Sequence, residues 1–142
     1  MQEINYEYYV SPEVAKLLKE AGFNWEVNHS YPNVGALDNS CSGYMEDLPF
    51  YHNLNDGKYG GLSVPTLEVA QRWIREVKNC SIRVDVFVHD LDKNNIYYTY
   101  NWIIYLNGER YSGSNWDDTR YYEVAQEAGI KKALELILEK GK

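Results

Sequence analysis

The sequence predicts an α+β domain: a small antiparallel sheet with a hairpin at about 82–106, packed on one face by three amphipathic helices. Three observations carry this reading. Apolar residues recur at helical spacing in three separate stretches, and each such stripe needs a surface to cover. Between the second and third stripes the period changes to two, first over 82–90 and again over 96–106, as paired strands require. Neither repeated βαβ units nor a glycine-rich phosphate loop occurs, so a doubly wound nucleotide fold has no support. At 142 residues, the chain suits a single domain spanning 1–142.

Residues 3–10 read as extended, with Ile4, Tyr6 and Tyr8 on one side. Ser11 and Pro12 then start a helix: the serine caps free N–H groups, and proline fits the first turn, where a missing donor matters least. Val14, Leu17, Leu18 and Ala21 form its stripe, and Gly22 stops it. Residues 23–28 can form a brief strand. From about 29 to 61 the chain becomes an irregular, tyrosine-rich excursion punctuated by Asn, Asp, Ser, Gly and Pro. Its aromatic content favours an ordered excursion, able to hold a hairpin, over disorder.

Pro65 and Thr66 open a second helix carrying Leu67, Ala70, Trp73, Ile74 and Val77 on its apolar stripe. In the strand that follows, Ile82, Val84, Val86 and Val88 share a face. Asp90–Asn95 is turn chemistry, and Ile96, Tyr98, Tyr100, Trp102, Ile104 and Leu106 make the matching face of the next strand. Asn107–Gly108 closes that strand with a further turn signal. The even-numbered residues are expected against the helices, so an aspartate at Val86 or Trp102 is expected to unfold the domain. Residues 113–118 form a polar link, and Asp118 or Thr119 caps a final helix to about Glu139 with Val124, Ala128, Ala133, Leu134 and Ile137 inward. Gly129 either divides this helix or weakens it by about 1 kcal/mol relative to alanine.

Charge narrows the partners. The net charge is −7, and residues 1–60 carry nine acids against three lysines. Such a balance repels a phosphate backbone, and the only dense basic run, Arg72, Arg75 and Lys78, falls on the polar side of a helix; nucleic-acid binding is therefore not expected. No segment approaches the roughly twenty apolar residues that cross a bilayer, and Met1 precedes Gln2, Glu3 and Ile4 rather than a basic and then apolar leader. A cytoplasmic, non-membrane protein is expected, with Cys41 and Cys80 as free thiols.

Catalytic signals are weak. His29, His52 and His89 with the two cysteines lack the close spacing of a zinc site, so no metal or other cofactor is expected. Cys80 sits between a helix and an apolar strand and reads as a structural thiol rather than a nucleophile. The carboxylate pairs Glu46–Asp47 and Asp117–Asp118 are adjacent in sequence, whereas glycosidic acid pairs face each other across a substrate. No convergent catalytic set emerges.

The odd-numbered face of the hairpin is more informative. Asp85, Phe87 and His89 on one strand lie beside Tyr97, Ile103 and Tyr105 on the other, separated by Thr99 and Asn101. This face is less polar than free solvation needs, and it calls for a cover from the excursion or from another chain, including a second copy in a homodimer. These six residues are the partner-binding candidates.

The block Val64–Pro65–Thr66 with Val69–Ala70–Gln71–Arg72–Trp73–Ile74–Arg75–Glu76–Val77 resembles a family of small uncharacterised proteins encoded in Bacteroidetes genomes and their prophages. The opening Val10, Ala15–Lys16–Leu17–Leu18–Lys19–Glu20 and Gly22–Phe23 is similar to that family, as is the closing Tyr122–Glu123, Glu127–Ala128–Gly129–Ile130, Ala133–Leu134 and Leu136–Ile137. The blocks occur in the family's order over about a third of the chain, and residues 29–60 carry none. The resemblance implies a bacterial or phage-derived origin and an accessory role such as binding a host protein; it implies no activity, cofactor or catalytic residue. The leading expectation is thus a non-enzymatic protein–protein interaction module of unknown partner. The alternative is a small enzyme or ligand-binding protein with a pocket between the 29–61 region and the sheet, using His29, His52 or Asp85.

Overall fold

Local chemistry sets the first helix. Ser11 Oγ accepts from the Val14 N–H at 3.3 Å, Pro12 occupies the first turn, and Gly22, at φ 97°, closes α1 (Pro12–Ala21). The computed structural model describes residues 8–32, 45–53, 55, 61–90, 92, 94–113 and 121–141, with the side chains of Pro49 and Phe50 excepted. After α1 come β1 (Val27–Tyr31), β2 (Glu46–His52), β3 (Leu62–Ser63), α2 (Leu67–Lys78), β4 (Cys80–Asp90), β5 (Ile96–Leu106), β6 (Glu109–Gly113) and α3 (Tyr122–Lys140). Thr66 caps α2 through its bond from Val69 N–H, and Asn79 in the left-handed region turns the chain directly into β4. Residues 3–7 of the expected extended segment, Cys41, the Asp117–Asp118 pair and Thr119 lie outside the described residues.

The chain is an α+β domain in which three helices pack on one face of an antiparallel sheet ordered β4-β5-β6. The β4–β5 register is unbroken from Cys80↔Leu106 to Asp90↔Ile96. The third strand was not foreseen. Asn107 and Gly108 both take positive φ, 54° and 81°, the backbone of a tight hairpin turn, and β6 folds back along 102–106. The described part of the 29–61 stretch carries β1 and β2, which pair antiparallel and with β3 form a second sheet ordered β2-β1-β3. Tyr31 anchors that sheet by donating its buried hydroxyl to the Val10 carbonyl at 2.6 Å.

α3 rests on β4 and β5, α2 on β4 and α3, and α1 on α3 and β3. Trp73, Phe23, Leu18, Ile104, Ile130 and Leu134 are fully buried between them, with the Phe23 ring edge-on to Trp73 at 5.3 Å. Gly129 neither divides nor ends α3, which runs unbroken for 19 residues. A Cβ at that position would lie 2.9 Å from Trp102 Cβ and 3.1 Å from Ile82 Cγ2, so glycine lets the helix backbone lie almost directly on the sheet. One polar chain crosses the layers: buried Gln126 donates to Gln71 at 2.9 Å, and Gln71 donates to the Ile82 carbonyl at 2.7 Å, tying α3 to α2 and α2 to β4.

Three expectations about burial need correction. Val86 and Val88 have the anticipated parity but not the anticipated cover, since both are exposed, as are Tyr98, opposite Val88, and Ile96, opposite Asp90. Val77 is exposed at the last turn of α2. In α3 the inward residues are Ala125, Gln126, Gly129, Ile130, Ala133, Leu134 and Leu136, whereas Val124 is exposed and Ala128 and Ile137 are half-buried. The helix is rotated so that its glycine, not a larger residue, meets Trp102.

Gly129→Ala should lower the thermal midpoint despite improving helix propensity. The propensity gain is at most about 1 kcal/mol, and overpacking against a Cβ fixed to the sheet backbone costs about 1–3 kcal/mol; a raised midpoint in calorimetry would contradict this contact. Aspartate should separate the two ends of the hairpin: Trp102→Asp unfolds the domain, whereas Val86→Asp costs less than about 1 kcal/mol in urea titration.

Candidate functional site

The β4–β5 hairpin is longer than the layer that covers it. Eleven residues at about 3.3 Å each extend roughly 36 Å. Gly129 of α3 sits over Trp102, and seven residues toward the helix start, about 10 Å at 1.5 Å each, Tyr122 meets the Tyr100 ring edge-on at 5.7 Å. The helix ends there. Beyond it Val86, Phe87, Val88, Ile96 and Tyr98 each keep between 47% and 62% of their surface exposed. These residues occupy both faces of the hairpin, Phe87 on the odd side and the others on the even side. Apolar side chains thus stand exposed on both faces of one hairpin.

The structure places the six sequence candidates on one face of the β4–β5 pair, but not all at the surface. Asp85 stands opposite Asn101, Phe87 opposite Thr99 and His89 opposite Tyr97. Phe87 and Tyr105 are exposed, and Asp85, His89 and Tyr97 are half-buried. Ile103 is only 4% exposed although it is not part of the helix-packed core, so this face is closed at that position rather than presented. The polar members are engaged by neighbours. Arg83 holds Asp85 at 2.8 Å, and His89 bonds Thr99 Oγ1 at 2.8 Å while stacking on Tyr97 with centroids 4.7 Å apart. The even-side residues Val86, Val88, Ile96 and Tyr98 are the part of the surface that sequence reasoning assigned to the core.

A second cluster lies on the small sheet. His29 Nε2 meets Asp47 Oδ1 at 2.7 Å, its Nδ1 meets Asn28 Oδ1 at 2.9 Å, and the Tyr9 ring leans on the imidazole with centroids 4.5 Å apart. Burial, with the Asp47 carboxylate and Tyr51 close by, raises the Tyr9 hydroxyl above its usual range. With both ring nitrogens taken by oxygen partners, His29 is occupied as a strut between β1 and β2 and has no nitrogen to spare for a substrate proton. His52 sits across from Val27 on the same sheet, while Asp85 belongs to the other.

Among the described residues, open clefts lie away from the hairpin. One of about 600 Å³ lies between α1 and the end of α3, lined by Leu17, Glu20, Lys78, Glu135 and Leu138; another of about 400 Å³ lies between α2 and the start of α3, at Arg72, Arg75, Tyr122 and Gln126. Neither is lined by a histidine or by Asp85. In the basic run, Arg72 pairs with Glu76 at 3.0 Å and covers the Trp25 ring, and Lys78 covers Trp73. Among the described residues, no group of three or more His, Cys, Asp or Glu could hold a metal ion, and no helix is long and apolar enough to cross a membrane. Comparison with family models, curated proteins and solved structures found no match.

Cys80 is fully buried at the start of β4, and burial pushes its thiol up to about 11. Because the folded state holds this proton more tightly than the unfolded chain, the contribution to stability is complete below the ordinary value of 9.0 and is lost as pH rises toward 11. Between pH 8 and 10 the native chain should therefore lose more stability than its Cys80→Ala variant in paired urea titrations. In a Cys41→Ser background, a thiol reagent at pH 8 should label Cys80 no faster than the domain unfolds.

Proposed function

We propose that this chain is a non-enzymatic protein–protein interaction module that engages a protein partner through the projecting end of the β4–β5 hairpin, residues 84–100. One observation carries the reading: five large apolar side chains stand exposed on both faces of that hairpin, beyond the reach of α3. Valines, aromatics and an isoleucine suit the apolar centre of an interface, and the acidic chain, at −7, complements a basic partner around it. Asp85 and His89, the ionisable candidates of the hairpin, are engaged by Arg83 and Thr99. The likeness to proteins of Bacteroidetes genomes and their prophages supports a cytoplasmic setting in bacteria and an accessory role in binding a host protein.

The double variant Val88→Glu/Tyr98→Lys tests this reading. The two positions are exposed and directly opposed, so the new charges pair across the strands and the fold is kept. Bacterial proteins recovered on the tagged native chain should fall at least roughly tenfold on the variant, the loss expected when a central apolar contact is removed. Equal recovery on a variant whose circular dichroism matches the native chain would overturn the hairpin as the binding site.

A further inference from the structure

We propose that the hairpin's first partner is a second copy of this chain, added edge to edge: β4 pairs antiparallel with β4 of the other copy about a two-fold axis at Phe87. This rests on the reading of the hairpin as an interaction surface and names one occupant for it. β4 is an edge strand, because the sheet order is β4-β5-β6 and no described strand pairs with its outer side. Exposed edges are ordinarily blunted by proline, lysine, a bulge or a cover. From Val84 to Asp90 the strand has no proline and no lysine, and its register with β5 runs without a bulge. Among the described residues, the bond that closes this edge lies at its beginning, where Gln71 of α2 donates to the Ile82 carbonyl.

That bond also shows which backbone groups look outward. The Ile82 carbonyl is turned toward α2, and by alternation the groups of residues 84, 86, 88 and 90 share its side. A two-fold axis at Phe87 sets Val86 opposite Val88 of the other copy and Val84 opposite Asp90, so these outward groups bond one another. The odd residues then fall into the close, non-bonded positions, Phe87 on Phe87 and Asp85 on His89. Apolar side chains meet apolar ones, and acid meets imidazole. Other registers fit worse: an axis at Asp85 opposes the two aspartates, one at Val86 sets Asp85 against Phe87, and one at Val88 sets Val86 against Asp90. A perpendicular two-fold keeps like faces together, so the result is a six-stranded sheet with all helices on one side and an isologous contact.

Purified chain alone tests the proposal by sedimentation and by cysteine pairing in a Cys41→Ser background. Sedimentation should show a dimer at micromolar concentration, and Val86→Lys, at a position exposed in the single copy, should return it to monomer with unchanged circular dichroism. Under mild oxidation Phe87→Cys should form a disulfide dimer. Asp85→Cys and His89→Cys should link only when mixed, and Ser81→Cys, roughly 40 Å from its mate at about 3.3 Å per residue, should not link. A monomeric native chain overturns the proposal, and if capture of other proteins still depends on Val88 and Tyr98, the interaction reading survives without it. A dimer indifferent to Val86→Lys, or linking at Ser81 as readily as at Phe87, overturns it as well.

Discussion

The placement of α3 on the sheet governs the rest of the molecule. Its backbone meets β5 at Gly129, where a Cβ would press on Trp102 and Ile82. That contact fixes both the rotation of the helix and its position along the strands. Rotation decides that Ile130, Ala133 and Leu134 enter the core while Val124 stays outside. Position decides that cover runs out near Tyr100, with Tyr122 as the last aromatic laid on the sheet. The same helix holds α1: Glu127 accepts from the Ser11 N–H at 3.0 Å, and Lys131 pairs with Glu13 at 2.9 Å. Since Trp102 is also pressed by Gly113 of β6, one side chain registers three elements at once.

The projecting hairpin follows from this geometry. Strand length and helix length are set independently in sequence, one by the turn that closes with Asn95 N–H on the Asp92 carbonyl and by the turn at 107–108, the other by where residues 121–140 can start. A strand pair of roughly 36 Å under a helix seated near its middle must leave one end uncovered. Left there are side chains of the kind that fill interiors, together with a regular backbone edge. Both gain from contact with another protein surface: the side chains by leaving water, the edge by completing its hydrogen bonds.

What the sequence disclosed was local chemistry. Ser11, Pro12 and Gly22 mark the ends of α1, and alternation marks β5 from Ile96 to Leu106, because capping and period-two patterning are decided by neighbours in the chain. Asn107–Gly108 signalled the turn, but β6 carries too little alternation over Glu109–Gly113 to declare itself a strand. The pairing of β1 with β2 joins residues about twenty positions apart, for which the intervening sequence holds no marker. The candidate site was half legible. Periodicity correctly puts Phe87 and Tyr105 on one face and Val86 and Val88 on the other, but it cannot say how far along a strand a helix reaches. The error over Val86 arises there: an apolar face was equated with a covered one.

Polar chemistry points in the same direction as the apolar surface. A catalytic acid or base needs a polar atom within reach of the substrate, with its protonation tuned for transfer. Among the described residues, several candidates are engaged by neighbouring side chains. His29 braces β1 against β2 through Asp47, His89 is locked to Thr99 and Tyr97, Asp85 is neutralised by Arg83, and the Cys80 thiol is buried and held in its protonated form. The partnerships of His89 and Asp85 tie down side chains on the strands that carry the exposed residues. A stiff hairpin loses little conformational freedom when a partner docks on it, so more of the free energy of apolar burial remains as affinity. The interactions that engage His89 and Asp85 thus also stiffen the hairpin that bears Val86, Phe87 and Val88.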